Sequence, residues 1–216
     1  MVDLKLLEHL ETYLTRKRLD RFHNVLLQRT KHFTVVTEDV YQLHNTSAAI
    51  RSCDVFGIQE VNIIEEQNTK QIDHEIAMGA QKWVDINRFN SVKDCITDLR
   101  DKGYQIVATT PHKGDCLLHE FDVTKKSCFF FGTETDGLSE DVIDQADCFL
   151  KIPMYGFTES LNISVSAAII LQYVTTKLKQ TDIDWKLTQD EQNEKRLDWC
   201  KKTIKSYKDI IARFYE

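Results

Sequence analysis

Short apolar segments alternate with longer segments of helical periodicity, and this alternation constrains the fold of the chain more than any other feature. Segments rich in β-branched and aromatic residues predict strands at residues 33–37, 61–64, 83–86, 104–109, 128–131 and 148–152. Helical patterns fall between them, at residues 45–57, 72–81, 91–102, 139–145 and 161–177. Strands that alternate with helices form a parallel sheet covered on both faces. The sequence therefore predicts an α/β fold.

Basic helical segments extend this region at both ends. Residues 3–31 predict one or two helices, and residues 188–215 predict one amphipathic helix, which packs either on its own domain or on a partner subunit. The net charge of −6 argues against a protein whose whole surface binds nucleic acid. Because both ends of the chain are basic, a polyanionic partner that contacts only the ends remains an alternative. We divide the chain into an N-terminal extension at 1–32, a central domain at 33–180 and a C-terminal helix at 181–216.

Composition excludes several classes of protein. The hydrophobic fraction of 42% and charged fraction of 29% are those of a globular domain, and no apolar run reaches the roughly 20 residues of a membrane span. The N-terminus carries no signal-peptide pattern, so we expect a cytoplasmic protein without a membrane partner. The six cysteines form no Cys-x-x-Cys pair, and their apolar surroundings predict buried, reduced thiols. We expect no metal site.

Common cofactor and nucleophile motifs are missing from the loops. There is no Gly-x-Gly-x-x-Gly after the first strand and no Gly-x-x-x-x-Gly-Lys-Ser/Thr, which disfavours the usual dinucleotide and phosphate-binding folds. Gly-x-Ser-x-Gly is also missing, which removes the main esterase signal. A candidate site must therefore rest on other polar clusters.

The segment from Lys151 to Leu171 is the most unusual of these clusters. An irregular loop with Gly156 and the step Ser160-Leu161-Asn162 leads directly into a helix whose first turns are almost all small. Such a helix lets another backbone or a flat ligand approach closely. Ser160 could alternatively be no more than the helix N-cap.

Two further polar clusters follow predicted strands. His44-Asn45 begins a helix, with Asn45 as a candidate N-cap, and Arg51 lies in an otherwise small and apolar run where its planar guanidinium could hold a phosphate or carboxylate. The second cluster runs from Gly132 to Ser139 and includes Glu134 and Asp136; alternatively, it is a plain loop capped by Ser139.

Together the three clusters resemble the three motifs of the SPOUT superfamily, in its TrmH (SpoU) branch of RNA ribose 2′-O-methyltransferases. The matching segments are residues 45–57, 131–139 and 152–168, within a region that covers residues 33–178. The resemblance implies a parallel sheet with a deep C-terminal trefoil knot, S-adenosylmethionine as the cofactor, and a homodimer formed through the knot region. True knots are so rare that no periodicity argument predicts one.

The resemblance also implies functional residues. The catalytic set would be Arg51, Asn45, Glu134, Ser160 and Asn162. The cofactor would contact Thr109, Gly132, Ile152, Met154, Gly156, Ser160 and Leu161. RNA would contact Arg16, Arg18, Arg21, Arg29, His44 and Arg51.

Arg51 would carry the proton chemistry of the reaction. A ribose hydroxyl is barely ionised at neutral pH, so a nearby group must take or share its proton. A guanidinium normally stays protonated, so Arg51 either acts as a base with help from the substrate phosphate or positions that phosphate.

Basic helices at both ends resemble those of the tRNA enzymes that methylate guanosine 18 in the D-loop. We therefore expect a tRNA partner. The alternatives are methylation of ribosomal RNA or of the tRNA wobble position, a non-catalytic RNA-binding protein of the same fold, and an α/β enzyme acting on a small anionic metabolite.

Overall fold

The computed structural model describes residues 2–40, 43–66, 77–112 and 116–216. The chain forms two compact units. One is Lys31–Trp185, which contains the predicted central domain, and the other joins Met1–Thr30 with Lys186–Glu216. Half of the helix predicted at 72–81, residues 72–76, lies outside the described residues; in the other half, Gly79 is left-handed and a short 3-10 helix covers Ala80–Lys82. Within the described ranges, no helix combines the length and the apolar character needed to cross a bilayer.

A single parallel sheet organises the larger unit. Its strands are β1 Phe33–Glu38, β2 Glu60–Ile64, β3 Asp85–Phe89, β4 Gln105–Thr109, β5 Cys116–Leu117, β6 Ser127–Phe131 and β7 Cys148–Lys151. The strand order is β3-β2-β1-β6-β4-β7-β5, and every neighbouring pair is parallel. The predicted α/β class is confirmed. β5 was missed because a two-residue edge strand is too short to produce a pattern.

Helices cover both faces of the sheet and build the second unit. In chain order they are α1 Leu4–Glu11, α2 Arg16–Leu26, α3 Leu43–Phe56, α4 Val92–Asp101, α5 Glu140–Gln145, α6 Ile163–Leu178, α7 Gln189–Thr203 and α8 Tyr207–Tyr215. The single C-terminal helix predicted at 188–215 is wrong. The backbone turns extended at Ile204, which ends α7 and allows α8 to start separately.

Alternate residues of each strand point to opposite faces, so the sheet has a hydrophobic core on either side. Val35 of β1 lies in the core that includes residues of α3 and α6, whereas Val36 lies in the core formed with α4 and α5. α3 and α6 pack against each other on their shared face. This contact brings the starts of both helices to the same edge of the sheet as the strand ends.

The terminal helices form the second unit by packing on one another. Phe22 meets Trp199 edge to face with ring centroids 5.3 Å apart. Arg196 donates two hydrogen bonds to the carboxylate of Glu11, each 2.7 Å long. The C-terminal helices therefore pack on the N-terminal helices of the same chain.

All six cysteines lie in the described segments, and none of them forms a disulfide. Four of them are buried, whereas Cys116 and Cys148 are half-buried, so the prediction of buried thiols is only partly correct. Burial raises the pKa of the Cys200 thiol to about 12, which keeps this thiol protonated.

Candidate active site

A cavity of about 510 Å³ opens where three central strands end. Thr109, Phe131 and Leu150, from β4, β6 and β7, form its floor. Ligands in open α/β sheets bind at the carboxyl ends of strands, and small-molecule sites occupy roughly 300–1,000 Å³. The cavity has the position and size of a ligand site.

The walls of the cavity come from three loops. These loops contribute Thr110, Pro111 and His112 after β4; Gly132 to Leu138 after β6; and Ile152, Met154, Ser160, Leu161 and Asn162 after β7. The structure thus brings together every residue predicted to contact the cofactor except Gly156, which does not line the cavity. His112 was missed, although its position after a buried strand was a usable signal.

The loop after β6 is closed tightly on itself. The backbone N–H of Thr133 donates to the Gly137 carbonyl at 2.8 Å, and the N–H of Gly137 donates back to Thr133 at 3.1 Å. A Cβ on Gly132 would lie 2.0 Å from the Gly137 oxygen, so only glycine fits there. Gly137 has a φ of 74°, which also favours glycine.

Glu38 anchors the far end of this loop and was not identified from the sequence. It ends β1, is buried, and accepts a hydrogen bond from the Ser139 N–H at 3.0 Å. Burial raises the pKa of its carboxyl, against the lowering effect of the Ser139 hydrogen bonds. Ser139 in turn caps α5 through its hydroxyl, so the cap considered in the alternative interpretation of this loop is present. The signal for Glu38 was a carboxylate directly after the strand predicted at 33–37.

Hydrogen bonds join the three predicted polar clusters. The Asn45 side-chain amide donates to a carboxylate oxygen of Glu134. The amide of Asn162 donates to Asn45 Oδ1 at 3.0 Å. Residues 117 positions apart in the sequence therefore contact each other directly. This network fixes the loop after β6 against the starts of both α3 and α6.

Two alternative capping roles considered for these residues are wrong. α3 begins at Leu43, so Asn45 lies inside its first turn and uses its side chain in the network instead of capping the helix. The N-cap of α6 is Asn162, whose Oδ1 accepts from the Ser164 N–H at 2.8 Å, and not Ser160. Ser160 is exposed and lines the cavity.

The sequence of this chain is similar to those of known proteins. Residues 32–172 match the family described as the SpoU rRNA Methylase family. A tRNA (guanosine(18)-2′-O)-methyltransferase of Borreliella burgdorferi is 36% identical over 96% of this chain and 95% of its own length. The chain belongs to the SpoU methylase family. The resemblance deduced from the three motifs is thereby confirmed.

Solved structures of SpoU methylases share the fold. The Aquifex aeolicus TrmH/SpoU tRNA modifying enzyme has a TM-score of 0.79 and 32% identity, and covers 88% of this chain and 98% of its own. The SpoU methyltransferase AviRb from Streptomyces viridochromogenes, solved in complex with the cofactor AdoMet, has a TM-score of 0.62 and 26% identity. That match covers 71% of this chain and 60% of AviRb.

Arg51 lies outside the cavity wall of this SpoU methylase. It is exposed on α3, and its guanidinium makes no hydrogen bond or ion pair with another described residue. His44 is also exposed, at the start of the same helix. An exposed cation on the helix that carries Asn45 is available to a substrate phosphate.

The cations predicted to bind RNA differ in their exposure. Arg16, Arg18 and Arg21 are exposed on α2, where Arg16 pairs with Asp20 at 3.0 Å. Arg29 is only 1% exposed, and its guanidinium lies 5.8 Å from the centre of the Trp199 ring. The prediction that Arg29 contacts RNA is therefore wrong, because the side chain is part of the core of the terminal unit. Among the described residues, no group of His, Cys, Asp and Glu could hold a metal ion.

Proposed function

We propose that this chain transfers a methyl group from S-adenosylmethionine to the ribose 2′-hydroxyl of guanosine 18 in tRNA. The observation that carries the proposal is the network of Asn45, Glu134 and Asn162, which unites the three family motifs at one cavity. The substrate follows from the Borreliella burgdorferi relative, which this chain matches over 95% of its length.

The residues of the cavity fit S-adenosylmethionine. Leu138, Ile152 and Ile170 would give an apolar wall to a flat adenine ring, and Asp136 would give an acidic group to the positively charged part of the cofactor. The tight turn at Gly132 lets the loop backbone approach closely. When bound, the cofactor supplies a methyl group on a positively charged sulfur, ready for attack by a nucleophile.

Arg51 contributes to the reaction from outside the cavity wall. Its guanidinium holds the phosphate next to the target ribose through paired hydrogen bonds, which places the 2′-hydroxyl at the mouth of the cavity. The proton of that hydroxyl leaves either to Arg51 with help from the phosphate or to solvent while Arg51 stabilises the developing charge. Asn45 and Glu134 act indirectly by fixing the loops.

We also propose that the larger unit contains a trefoil knot. β7 lies between β4 and β5, and the Tyr173 hydroxyl of α6 donates to the His119 carbonyl at 3.0 Å in the connection between β5 and β6. These contacts support a topology in which the chain before α6 passes through the loop between β5 and β6. Such a passage would form the trefoil knot. We place the protein in the cytoplasm, with its tRNA substrate.

A homodimer through the knot region is also part of the proposal. Val165 and Ile169 are exposed four residues apart, which puts them on one side of α6, and Leu161 is exposed in the loop that enters this helix. A second copy would cover this aliphatic stripe. We also propose that the basic extension, residues 1–32, contacts tRNA through Arg16, Arg18 and Arg21.

Product mapping tests the activity. Purified protein is incubated with labelled S-adenosylmethionine and bulk tRNA, and the product is located by primer extension and mass spectrometry. We expect 2′-O-methylguanosine at position 18. Methylation at the wobble position or only of ribosomal RNA would contradict the assigned substrate, and cofactor binding without any transfer would indicate a non-catalytic protein.

A further inference from the structure

The loop between β7 and α6 presents two aromatic rings to solvent beside the cavity. Tyr155 is 96% exposed and Phe157 is 108% exposed. Met154 precedes this pair and Ser160 follows it, and both line the cavity. Aromatic side chains bury large areas when they find a partner, so two fully exposed rings at the rim of a site point to a ligand that covers them.

The proposed reaction requires a partner with flat faces at this rim. A 2′-hydroxyl that enters the cavity brings its own base to the rim, and proteins hold unstacked RNA bases on aromatic side chains. We infer that Tyr155 and Phe157 form a stacking platform for the base of the target nucleotide. This inference rests on the proposed function and adds the residues that hold the purine.

The backbone between the two rings leaves space for such a base. A Cβ on Gly156 would meet nothing closer than the Thr158 nitrogen, at 4.0 Å. The side of the loop at Gly156 is therefore open. Stacking needs only a flat, accessible face, and it is the least sequence-specific way to hold a base.

A second copy of the chain fits these rings less well than a base does. In the aliphatic stripe of Leu161, Val165 and Ile169, the two helical residues Val165 and Ile169 have the spacing of a helix contact, whereas the two rings stand on an irregular loop. Exposed polar residues Thr158, Glu159 and Ser160 separate Phe157 from Leu161. The rings are thus not a simple continuation of the stripe.

The test uses a tRNA that carries the fluorescent purine 2-aminopurine at position 18, together with unmodified tRNA for kinetics. Phe157→Leu and Tyr155→Leu remove the rings but keep apolar side chains, and Phe157→Tyr keeps a ring. Met78→Ala, which truncates an exposed apolar side chain outside the cavity wall, is the matched control.

In the wild-type complex we expect quenched fluorescence, because the purine stacks on a ring. In both Leu variants we expect several-fold brighter complexes and a KM for tRNA raised about tenfold, the loss typical of one stacked base. Affinity for S-adenosylmethionine should not change. Phe157→Tyr should keep the quenching and the KM of the wild type, and Met78→Ala should also behave as the wild type.

Two results would overturn the inference. One is a Leu variant with wild-type KM and wild-type quenching. The other is a Leu variant that turns a wild-type dimer into a monomer in sedimentation experiments, which would assign the rings to a second copy. A wild-type protein that binds tRNA without methylating guanosine 18 would instead contradict the proposed function, and the fluorescence comparison would still decide whether the rings stack.

Discussion

Arg51 can be removed with little effect on the rest of the protein. Because it is exposed and makes no ion pair with another described residue, Arg51→Ala should change stability by no more than about 0.5 kcal/mol. The same change should lower kcat about 10²- to 10⁴-fold, the usual contribution of a group that manages a proton. Single-turnover methylation and thermal unfolding measure the two effects.

Two further variants sharpen this test. Arg51→Lys keeps the charge but loses the paired donors, so intermediate activity would favour phosphate positioning and full loss would favour a more specific role of the guanidinium. Lys93→Ala removes an exposed cation from α4 and should leave kcat unchanged. Full activity of Arg51→Ala would exclude Arg51 from the mechanism.

Glu38 makes stability depend on pH in a direction opposite to that of most carboxylates. Burial raises its pKa above the ordinary value of 4.5, so the folded state binds the proton more tightly than the unfolded state. This group therefore contributes most below pH 4.5, and its contribution falls as the pH rises through the folded-state pKa. Glu38→Gln, which keeps an acceptor for the Ser139 N–H, should gain stability relative to the wild type as the pH rises from 4.5 to 7.

Urea unfolding of both proteins across this pH range measures the difference. A constant difference between the two curves would mean that Glu38 titrates alike in the folded and unfolded states. A gain for Glu38→Gln toward low pH would have the wrong sign.

At the scale of elements, the loop from Gly132 to Ser139 should tolerate no side chain at its first residue. In Gly132→Ala the new Cβ would meet the Gly137 oxygen at 2.0 Å, which forces the loop open. We expect at least a tenfold loss of affinity for S-adenosylmethionine in calorimetry. Gly156→Ala has ordinary contacts and lies outside the cavity wall, so the same measurement should give wild-type affinity. Equal losses in both variants would contradict the assignment of the cavity.

The exposed cations of α2 should contribute to tRNA binding through phosphate contacts. Replacing Arg16, Arg18 or Arg21 with Gln should each reduce the slope of log K against log salt concentration by up to about 1, because one phosphate contact is lost. Filter binding at several salt concentrations measures this slope. Lys93→Gln serves as the control on α4, and an unchanged slope in all three variants would remove α2 from the RNA-binding surface.

At the scale of the whole molecule, the exposed stripe on α6 should control assembly. A double variant, Val165→Lys with Ile169→Lys, places two like charges in the proposed interface and should convert a dimer into a monomer. Sedimentation velocity distinguishes the two states. Leu4→Lys adds a charge at an exposed apolar position of α1 and should leave the dimer intact. A wild-type monomer would contradict the proposal directly.

Much of the fold followed from local patterns, but several element boundaries and cap positions did not. The apolar segments placed six strands correctly to within a few residues, because most of them are buried parallel strands, which are continuous in hydrophobicity; β3, which is only partly buried, is displaced from the segment predicted at 83–86. The start of α3 at Leu43 and the cap at Asn162 escaped prediction, since several polar residues near each start were equally good caps. The break at Ile204 also carried no glycine or proline as a signal.

The features of the candidate site also divide into those that the sequence predicted and those that only the structure revealed. The sequence by itself determined the α/β class, the three polar motifs and the family, because these depend on periodicity and on the order of residues along the chain. Only the tertiary structure decided that Asn45, Glu134 and Asn162 share hydrogen bonds, that Glu38 anchors the loop, and that Arg29 is buried. These facts depend on contacts between residues far apart in the sequence, and such contacts are set by how the strands order themselves in the sheet.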